Sequence, residues 1–546
     1  MSESPDGPEP RKPFAGLAPA LAGRTLFRFA FRSSPPPQKG AEDEELATSA
    51  ETIEALELGG RRRLVIQREL GGERLVLVGG PNEILIETGF GTEMARPAEA
   101  AKGEAANPIA STRGEPSADL VGLLPLGLLS VASGLGIGVV CGLFRIALDQ
   151  AQRFRAAVPD WLAERPMLGC ASLILGAAVA AGFSAGLVRR IVPSAAGSGI
   201  PHVESVIAGE SPPAPFALLP VKFIGGLLAI GAGLALGREG PLVQMGATCA
   251  FYVGKLFRCD WRDSQSLLAA GAGAGLAAAF NAPLAGSAFV LEELLRRFDM
   301  RHATAALGAS VAAIFVVRLI DGASPEFASP SRFAPTAIDN LLCLGLGVAA
   351  GVMSVAYSAA VIGALDMTDR LSRWPAEIKA ALIGAAVGAL AWFAPGLVGD
   401  GGALTQKTID GGFTLLALSL VFLLRFVLGA VSYAAGTPGG LFAPLLVLGA
   451  QLGAFFGLLL FAGSPEAETH AAMFAIVGMA AFFSAVVRAP LTGMILITEM
   501  TGSSELLLPM LAACFSAMAT AALLRNAPIY DALRERAASL AGRTGS

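Results

Sequence analysis

The segments GREGPLVQMG at residues 237–246 and GLFAPLLVLG at residues 440–449 share the pattern G-x-x-x-P-L-x-x-x-G at an offset of 203. A second pair, at residues 282–292 and 489–499, shares A-P-L-x-G-x5-E at an offset of 207. Two independent matches at nearly one offset indicate a duplication, with halves at about residues 119–320 and 338–525. Broken apolar segments at matching places in two halves are typical of a transporter whose site lies between the repeats.

The composition around these segments indicates a polytopic membrane protein. Of 546 residues, 53% are hydrophobic and 15% are charged, whereas soluble domains carry about 25% charge. The first 118 residues hold 32 of the 84 charged side chains, so a polar N-terminal segment precedes a membrane body. The net charge of −4 gives no support for a nucleic-acid partner.

The membrane body contains charge-free runs near the 20 residues that a helix needs to cross a bilayer. These runs are 120–144, 167–188, 264–291, 340–365, 380–399, 426–465, 471–487 and 506–524. Shorter or interrupted runs at 223–237, 240–254 and 411–424 predict helices that end within the membrane, where broken backbone is tolerated only around a buried site or cavity. We therefore expect an all-α polytopic fold.

The polar segment 1–117 is predicted to be cytoplasmic and largely disordered, and its start does not resemble a signal peptide. Residues 41–58 form an acidic stretch with some helical pattern. Short apolar runs separated by Gly-rich turns predict a small β unit at 61–88, of two or three strands. A docking role for this segment remains an alternative to an essential one. At the other end, residues 537–546 read as a short tail.

Three glycine-to-proline motifs point to an anion site. GSGIP at 197–201, GREGP at 237–241 and GGLFAP at 439–444 each free the backbone with glycine and then open a helix with proline. A helix N-terminus offers unpaired N–H donors and a partial positive charge, which suit an anion. The six cysteines are scattered without metal spacing, and we expect neither a metal nor a cofactor.

These motifs, with FNAPLAG at 280–286, RAPLTG at 488–493 and Tyr530, resemble the CLC family of chloride channels and chloride/proton antiporters. The resemblance covers about residues 118–536. It implies an inverted repeat of tilted and broken helices, and a homodimer with one pore per subunit. It also implies a multi-pass protein of the cell membrane with both termini cytoplasmic. Its partners would be chloride, protons, the lipid bilayer and a second copy of the chain.

Two glutamates decide the predicted transport type. Glu239 stands in an apolar run, and an intramembrane carboxylate marks function by default. The resemblance implies that Glu239 is the gate and proton acceptor, the alternative being a salt bridge with Lys222 or Arg238. Glu293 follows the charge-free run 264–291, and the resemblance implies that it transfers protons on the cytoplasmic side. The pair favours an antiporter, with a passive voltage- or pH-gated channel as the alternative.

The resemblance assigns the remaining site residues. Ser198 and Tyr530 correspond to hydroxyl donors at the central anion. Backbone donors and residues that shape the potential complete the set: Gly199, Ile200, Gly240, Leu441 and Phe442 for chloride, and Lys222, Arg238 and Glu292 for the potential along the path. Glu292 is expected to lie exposed beside the cytoplasmic opening, and Glu499 is expected to be structural.

The chain departs from the family pattern at two positions near the motifs. His202 stands where relatives often carry Glu, and Leu242 where they often carry Thr. We expect His202 to face the cytoplasm. The resemblance implies that Ser198 favours chloride over nitrate, and it argues against the fluoride-exporting branch. An intramembrane enzyme is a weak alternative, since the three histidines do not form H-E-x-x-H.

Overall fold

The computed structural model describes residues 29–31, 51–57, 63–69, 72–78, 84–86, 116–329 and 333–544. The chain divides into two compact units, Met1–Ser111 and Thr112–Ser546. Most of the N-terminal segment that we expect to be disordered lies outside the described residues, so that expectation stays a prediction.

The first unit holds a five-stranded antiparallel sheet in the order β1-β5-β4-β3-β2. Its strands are β1 (Phe29–Phe31), β2 (Glu51–Glu57), β3 (Arg63–Glu69), β4 (Gly72–Val78) and β5 (Ile84–Ile86). The expected unit at 61–88 contains only β3 to β5, and the expected helical pattern over 41–58 is wrong for β2. Two further strands extend the sheet, β1 by pairing with β5 and β2 by pairing with β3. Sequence periodicity does not reveal such pairings between distant segments.

The regular secondary structure of the second unit is helical throughout its described residues, which agrees with the predicted all-α membrane body. The helices are α1 (Pro116–Trp161), α2 (Pro166–Ile191), α3 (Ile200–Ile207), α4 (Leu218–Gly231), α5 (Glu239–Leu256), α6 (Trp261–Phe280), α7 (Pro283–Phe289), α8 (Met300–Asp321), α9 (Ala337–Arg370), α10 (Ala376–Phe393), α11 (Gly402–Ile409), α12 (Leu415–Tyr433), α13 (Phe442–Leu460), α14 (Ala467–Val487), α15 (Pro490–Thr501), α16 (Leu507–Leu523) and α17 (Ile529–Thr544). A π-helical turn, Val290–Leu294, continues α7. Helix α17 runs through most of the expected tail.

Helices α1–α8 and α9–α16 repeat the same order of long and short elements. Helices α3 and α11 are both eight residues long, and each begins after a left-handed glycine, Gly199 at φ 82° and Gly401 at φ 92°. A three-residue 3-10 turn precedes each of them, at Pro193–Ala195 and Pro395–Leu397. This correspondence, 202 residues apart, extends the repeat well beyond the two motif pairs.

Paired helices from the two halves form the core. Helix α5 packs on α6, and α13 packs on α14, through glycines at equivalent positions. A Cβ on Gly246 would lie 2.2 Å from the carbonyl oxygen of Gly271, and a Cβ on Gly449 would lie 2.5 Å from that of Gly478. Because the backbones approach so closely, only glycine fits at either place.

Nine helices within the described residues are long and apolar enough to cross a membrane. Helix α14 is the most enclosed of these: 94% of its 18-residue apolar stretch is buried, against 28% for α12. The core therefore lies around α14, and the apolar side chains that remain exposed belong mainly to peripheral helices such as α1, α2, α8, α12 and α16.

Candidate functional site

Three backbone loops meet at the centre of the helical unit, joined by main-chain hydrogen bonds. Gly197 N donates to Thr437 O at 3.1 Å, and Gly439 N donates to Gly197 O at 3.0 Å. Gly237 and Gly440 exchange two bonds, with N···O distances of 2.9 and 2.8 Å. Since Gly237 and Gly440 are equivalent residues of the repeat, this pair of hydrogen bonds joins corresponding positions of the two halves.

Helices α3, α5 and α13 begin at this junction. A Cβ on Gly240 would lie 2.8 Å from Ser198 Cα and 2.9 Å from Gly440 Cα, so the three loops touch through their backbones. Gly199 has φ 82°, and a Cβ there would lie 2.1 Å from Gln244 Oε1. The structure thus brings together the predicted backbone donors: Gly199, Ile200, Gly240, Leu441 and Phe442.

Glu239 lies fully buried at this junction. Its Oε1 accepts hydrogen bonds from Phe442 N at 2.7 Å and from Ala443 N at 3.4 Å. Its Oε2 has no hydrogen-bond partner in the described part of the chain. The carboxylate of one half therefore rests on the free amides that begin α13 in the other half, in the position that a bound anion would take.

The two nearby cations are committed to other partners. Lys222 Nζ donates to the carbonyl oxygens of Ala195 at 3.0 Å and Gly197 at 2.8 Å, which secures the GSGIP loop. Arg238 donates to Ala279 O at 3.0 Å and pairs with Glu326. The alternative of a salt bridge from either cation to Glu239 is therefore wrong, because the carboxylate is held by backbone amides.

Two buried hydroxyls face the same centre. Ser198 Oγ and Tyr530 Oη lie beside each other, and neither makes a hydrogen bond of standard geometry among the described residues. Tyr530 also lies near enough to Glu239 and Glu293 to interact electrostatically with both. Its ring stacks on Phe442 at 6.1 Å between centroids. Two unused donors in a buried position are available to an anion.

Glu293 lies in the π-helical turn with 3% of its surface exposed. Its Oε1 makes no hydrogen bond within the described residues, and Arg296 is 3.7 Å away. It lines a cavity of about 270 Å³ together with Glu204, Gln265 and Arg534. Glu204 is 4% exposed, and neither of its carboxylate oxygens has a hydrogen-bond partner there. Two buried carboxyl groups thus share one cavity, a suitable place for protons.

The expected exposure of Glu292 is wrong. It is half-buried, and it caps α15 by accepting from Leu491 N at 2.9 Å and from Thr492 N at 2.7 Å. Its repeat equivalent, Glu499, caps α7 in the same way, through Leu284 N at 3.1 Å and Ala285 N at 2.8 Å. The structural role expected for Glu499 is confirmed. Glu292 shares this role because carboxylates stabilise helix N-termini.

A network of ions covers the side of the junction next to Arg238. Glu326, in the segment between α8 and α9, pairs with Arg238 and lies 3.4 Å from Arg145. Arg145 also pairs with Asp321 at 2.7 Å. Arg238 and Glu326 line a cavity of about 30 Å³ that reaches Ala443, whose backbone N–H donates to Glu239. The network therefore narrows one mouth of the candidate path.

A wider vestibule of about 360 Å³ lies on the α17 side of the junction. His202 lines it, with Nδ1 3.4 Å from Gln244 Nε2. Arg534 and Arg536 line it as well. Asp531 lies 3.5 Å from Arg534, and Arg536 pairs with two aspartates of α9.

One sequence pattern has a different explanation in the fold. Residues 182–186 read G-F-S-A-G, which matches the nucleophile pattern G-x-S-x-G of hydrolases. That motif requires a sharp turn between a strand and a helix. Ser184 instead lies within α2, fully buried, and its hydroxyl donates to Gly225 O at 2.8 Å. It packs α2 against α4.

Sequence reasoning missed three residues of this region: Glu204, Glu326 and Tyr433. Glu204 had a usable signal, since an acidic residue six positions after Ser198 falls inside the membrane body. Glu326 lies in a polar connection whose path over Arg238 depends on the fold. Tyr433 ends an apolar run and reads as a core aromatic.

Comparisons with known proteins give a matching family and two similar proteins. The family model described as voltage gated chloride channel matches residues 176–522. An H(+)/Cl(−) exchange transporter ClcA from Vibrio cholerae is 38% identical over 412 residues, which cover 73% of this chain and 88% of that protein. The ClcA exchange transporter from Cronobacter sakazakii is 36% identical over 424 residues, covering 76% and 90% of the two chains.

A solved structure shows the same architecture. The crystal structure of a slow cyanobacterial Cl−/H+ antiporter matches with a TM-score of 0.71 at 33% identity. The match covers 76% of this chain and 97% of that one.

Proposed function

We propose that this chain, which belongs to the voltage-gated chloride channel (CLC) family, exchanges chloride for protons across a membrane. One observation carries the proposal: the Glu239 carboxylate accepts hydrogen bonds from the Phe442 and Ala443 amides, while Arg238 and Lys222 are bound to other partners. An ionised carboxylate and a chloride ion need the same donors, so only one of them can occupy this place. The two similar ClcA proteins are exchange transporters, and their activity supports the same assignment here.

Competition at these amides gives a mechanism for exchange. When Glu239 is ionised, it holds the amides and closes the path. When it takes up a proton, its attraction to the helix N-terminus falls, and chloride replaces it. Chloride at the centre would be held by Ser198, Tyr530 and the backbone amides of the three helix starts. Each turnover thus links a proton on Glu239 to the passage of chloride.

Glu293 would supply the second proton position. Like Glu239, it lies near enough to Tyr530 to interact with it electrostatically, and its cavity is bordered by Arg296 and Arg534. A buried carboxyl group without a hydrogen bond on Oε1 can exchange a proton with water in that cavity. This arrangement favours exchange over the passive channel, which has no need of an inner proton group.

The roles of the remaining site residues follow from their contacts. Lys222 would position the GSGIP loop through Ala195 and Gly197 without touching chloride. Arg238 would raise the potential next to the gate, to an extent set by Glu326. The vestibule on the α17 side would be the cytoplasmic opening, with both termini in the cytoplasm.

We further propose a homodimer with one pore per subunit. Helices α8 and α16 are equivalent in the repeat and carry exposed apolar side chains one turn apart: Leu307, Val311, Phe315, Leu508, Leu511 and Phe515. Association of two copies through these helices would remove the side chains from lipid. Cross-linking between cysteines introduced at position 315 of two subunits tests this contact.

The test of exchange uses the purified full chain in proteoliposomes with an outward chloride gradient and no proton gradient. Exchange predicts that chloride efflux drives protons inward until a pH gradient forms. A passive channel predicts chloride flux with no proton movement once the voltage is clamped by valinomycin and potassium. The second outcome would replace the antiporter by the channel.

A further inference from the structure

Tyr433 places a third hydroxyl at the anion path. It is the last residue of α12, it is 6% exposed, and its Oη lies 3.5 Å from the backbone nitrogen of Ser198. The Ser198 N–H donates to the phenol oxygen, and 3.5 Å is long for such a bond. The contact is therefore weak, and a stronger acceptor can displace it.

The phenol hydrogen is free to bind something else. Because its oxygen accepts from Ser198, the O–H bond must point in another direction. Tyr433 donates to no acceptor among the described residues. A buried tyrosine usually finds a partner for its hydroxyl, so an unused donor here calls for an explanation.

Tyr433 stands where the vestibule meets the central site. It lines the cavity of about 360 Å³ together with Gly197, Gly199 and His202. A Cβ on Gly197 would lie 2.9 Å from Tyr433 Oη, so the glycine leaves room for the hydroxyl. Tyr433 also interacts electrostatically with Tyr530, the hydroxyl donor of the central site. An anion moving inward from the vestibule would therefore meet Tyr433 before Tyr530.

We propose that Tyr433 is an anion ligand at the vestibule end of the path, a role that rests on the proposed chloride transport. Without an anion, the Ser198 amide rests on the phenol oxygen. When a halide arrives, it replaces the phenol oxygen as the acceptor of the Ser198 N–H, and the phenol O–H donates to the ion as well. The neutral hydroxyl stabilises the ion without the full charge that would hold it too tightly for release.

The fold fixes this donor in place. Gly197 is held by Thr437 and Gly439 through the backbone and by Lys222 through its carbonyl oxygen. Tyr433 precedes the same 436–444 loop, so the phenol and the Ser198 amide are positioned by one set of contacts. Removal of the hydroxyl alone should leave these contacts intact, because none of them uses it.

Chloride binding to the full chain in detergent, measured by isothermal titration calorimetry, tests the proposal. Tyr433→Phe keeps the ring and should weaken chloride binding about tenfold, as expected for the loss of one hydrogen bond to an ion. Its melting temperature in chloride-free buffer should match that of the wild type. Tyr357→Phe is the matched control, because Tyr357 is likewise a buried tyrosine whose hydroxyl has no partner among the described residues, but its ring packs against Phe426 and Phe482.

The possible outcomes distinguish failure of the Tyr433 proposal from failure of the proposed chloride/proton exchange. If Tyr433→Phe binds chloride like the wild type, or if Tyr357→Phe loses as much affinity, Tyr433 is not a ligand. If Tyr433→Phe melts markedly lower without chloride, its role is structural and the proposal fails. If the wild type neither binds chloride nor couples it to protons, the proposed function fails first. Tyr433→Leu, which also removes the ring, should not regain affinity.

Discussion

Glu239 and Phe442 occupy equivalent positions in the two repeats, and the carboxylate of the first accepts a hydrogen bond of 2.7 Å from the backbone nitrogen of the second. The backbone at this point is nearly symmetric, since Gly237 and Gly440, which are also equivalent in the two repeats, exchange a pair of backbone hydrogen bonds. The side chains are not symmetric. One half supplies an acid and the other supplies the amides and an aromatic wall. A duplicated fold thereby acquires a single gate.

Removal of this carboxylate should expose an additional anion position. In Glu239→Ala the Phe442 and Ala443 amides have no internal acceptor, so at neutral pH chloride should bind several-fold more tightly than in the wild type. Isothermal titration calorimetry measures the change. Glu210→Ala, at an exposed position beyond α3, is the control and should behave as the wild type does. Weaker binding in Glu239→Ala would show that the carboxylate does not compete with chloride.

The paired caps predict a matched loss of stability. Glu292→Gln and Glu499→Gln each remove the charge from a carboxylate that accepts two backbone N–H bonds. Each should cost about 1–3 kcal/mol, seen as a lower melting temperature in detergent. Glu468→Gln is the control: within the described residues, this exposed acid in the first turn of α14 interacts only with the helix dipole, so its loss should cost less than about 1 kcal/mol. If Glu292→Gln instead alters proton flux while its melting temperature is unchanged, Glu292 acts in transport and not as a structural cap.

Glu326 should control chloride access at the narrow mouth. Glu326→Gln leaves Arg238 without its carboxylate partner, so the local potential becomes more positive and attracts anions. We expect the chloride concentration for half-maximal flux from that side to fall about two- to fivefold. Asp321→Asn is the control, since Asp321 pairs with Arg145 and not with Arg238. Equal effects of the two variants would argue against a specific role for the Glu326–Arg238 pair.

Gly246 should tolerate no side chain. Gly246→Ala would bring a Cβ to 2.2 Å from Gly271 O, which is backbone and cannot move without separating α5 from α6. Overpacking of this kind costs about 1–3 kcal/mol or more, and the yield of folded protein in size-exclusion chromatography should drop sharply. Gly176→Ala meets nothing within 4 Å and should give the wild-type yield.

The repeat and the gate could be read from the sequence because their signals are local. The GREGP and GLFAP motifs specify helix starts, and Glu239 stands out as an acid in an apolar run. Those features depend on a few neighbouring residues, so no knowledge of the packing is needed to find them.

The remaining features depend on contacts between distant segments. Glu292 caps a helix about 200 residues away, and nothing within its own segment indicates this. Glu326 reaches Arg238 from a polar connection, and Tyr433 resembles an ordinary core aromatic until its hydroxyl is found beside Ser198. The strand at Glu51–Glu57 was missed because a short acidic segment with apolar residues at irregular spacing fits a helix as well as a bulged strand.

The most direct test of the account measures chloride and proton fluxes together in proteoliposomes containing the wild type, Glu239→Ala or Glu293→Gln. The account predicts that, in the wild type, the chloride gradient drives protons in the opposite direction to chloride and against their own gradient. Both variants should still carry chloride, and neither should move protons. If Glu239→Ala continues to pump protons, the competition between its carboxylate and chloride at the Phe442 amide is not the basis of coupling, and the central claim is wrong.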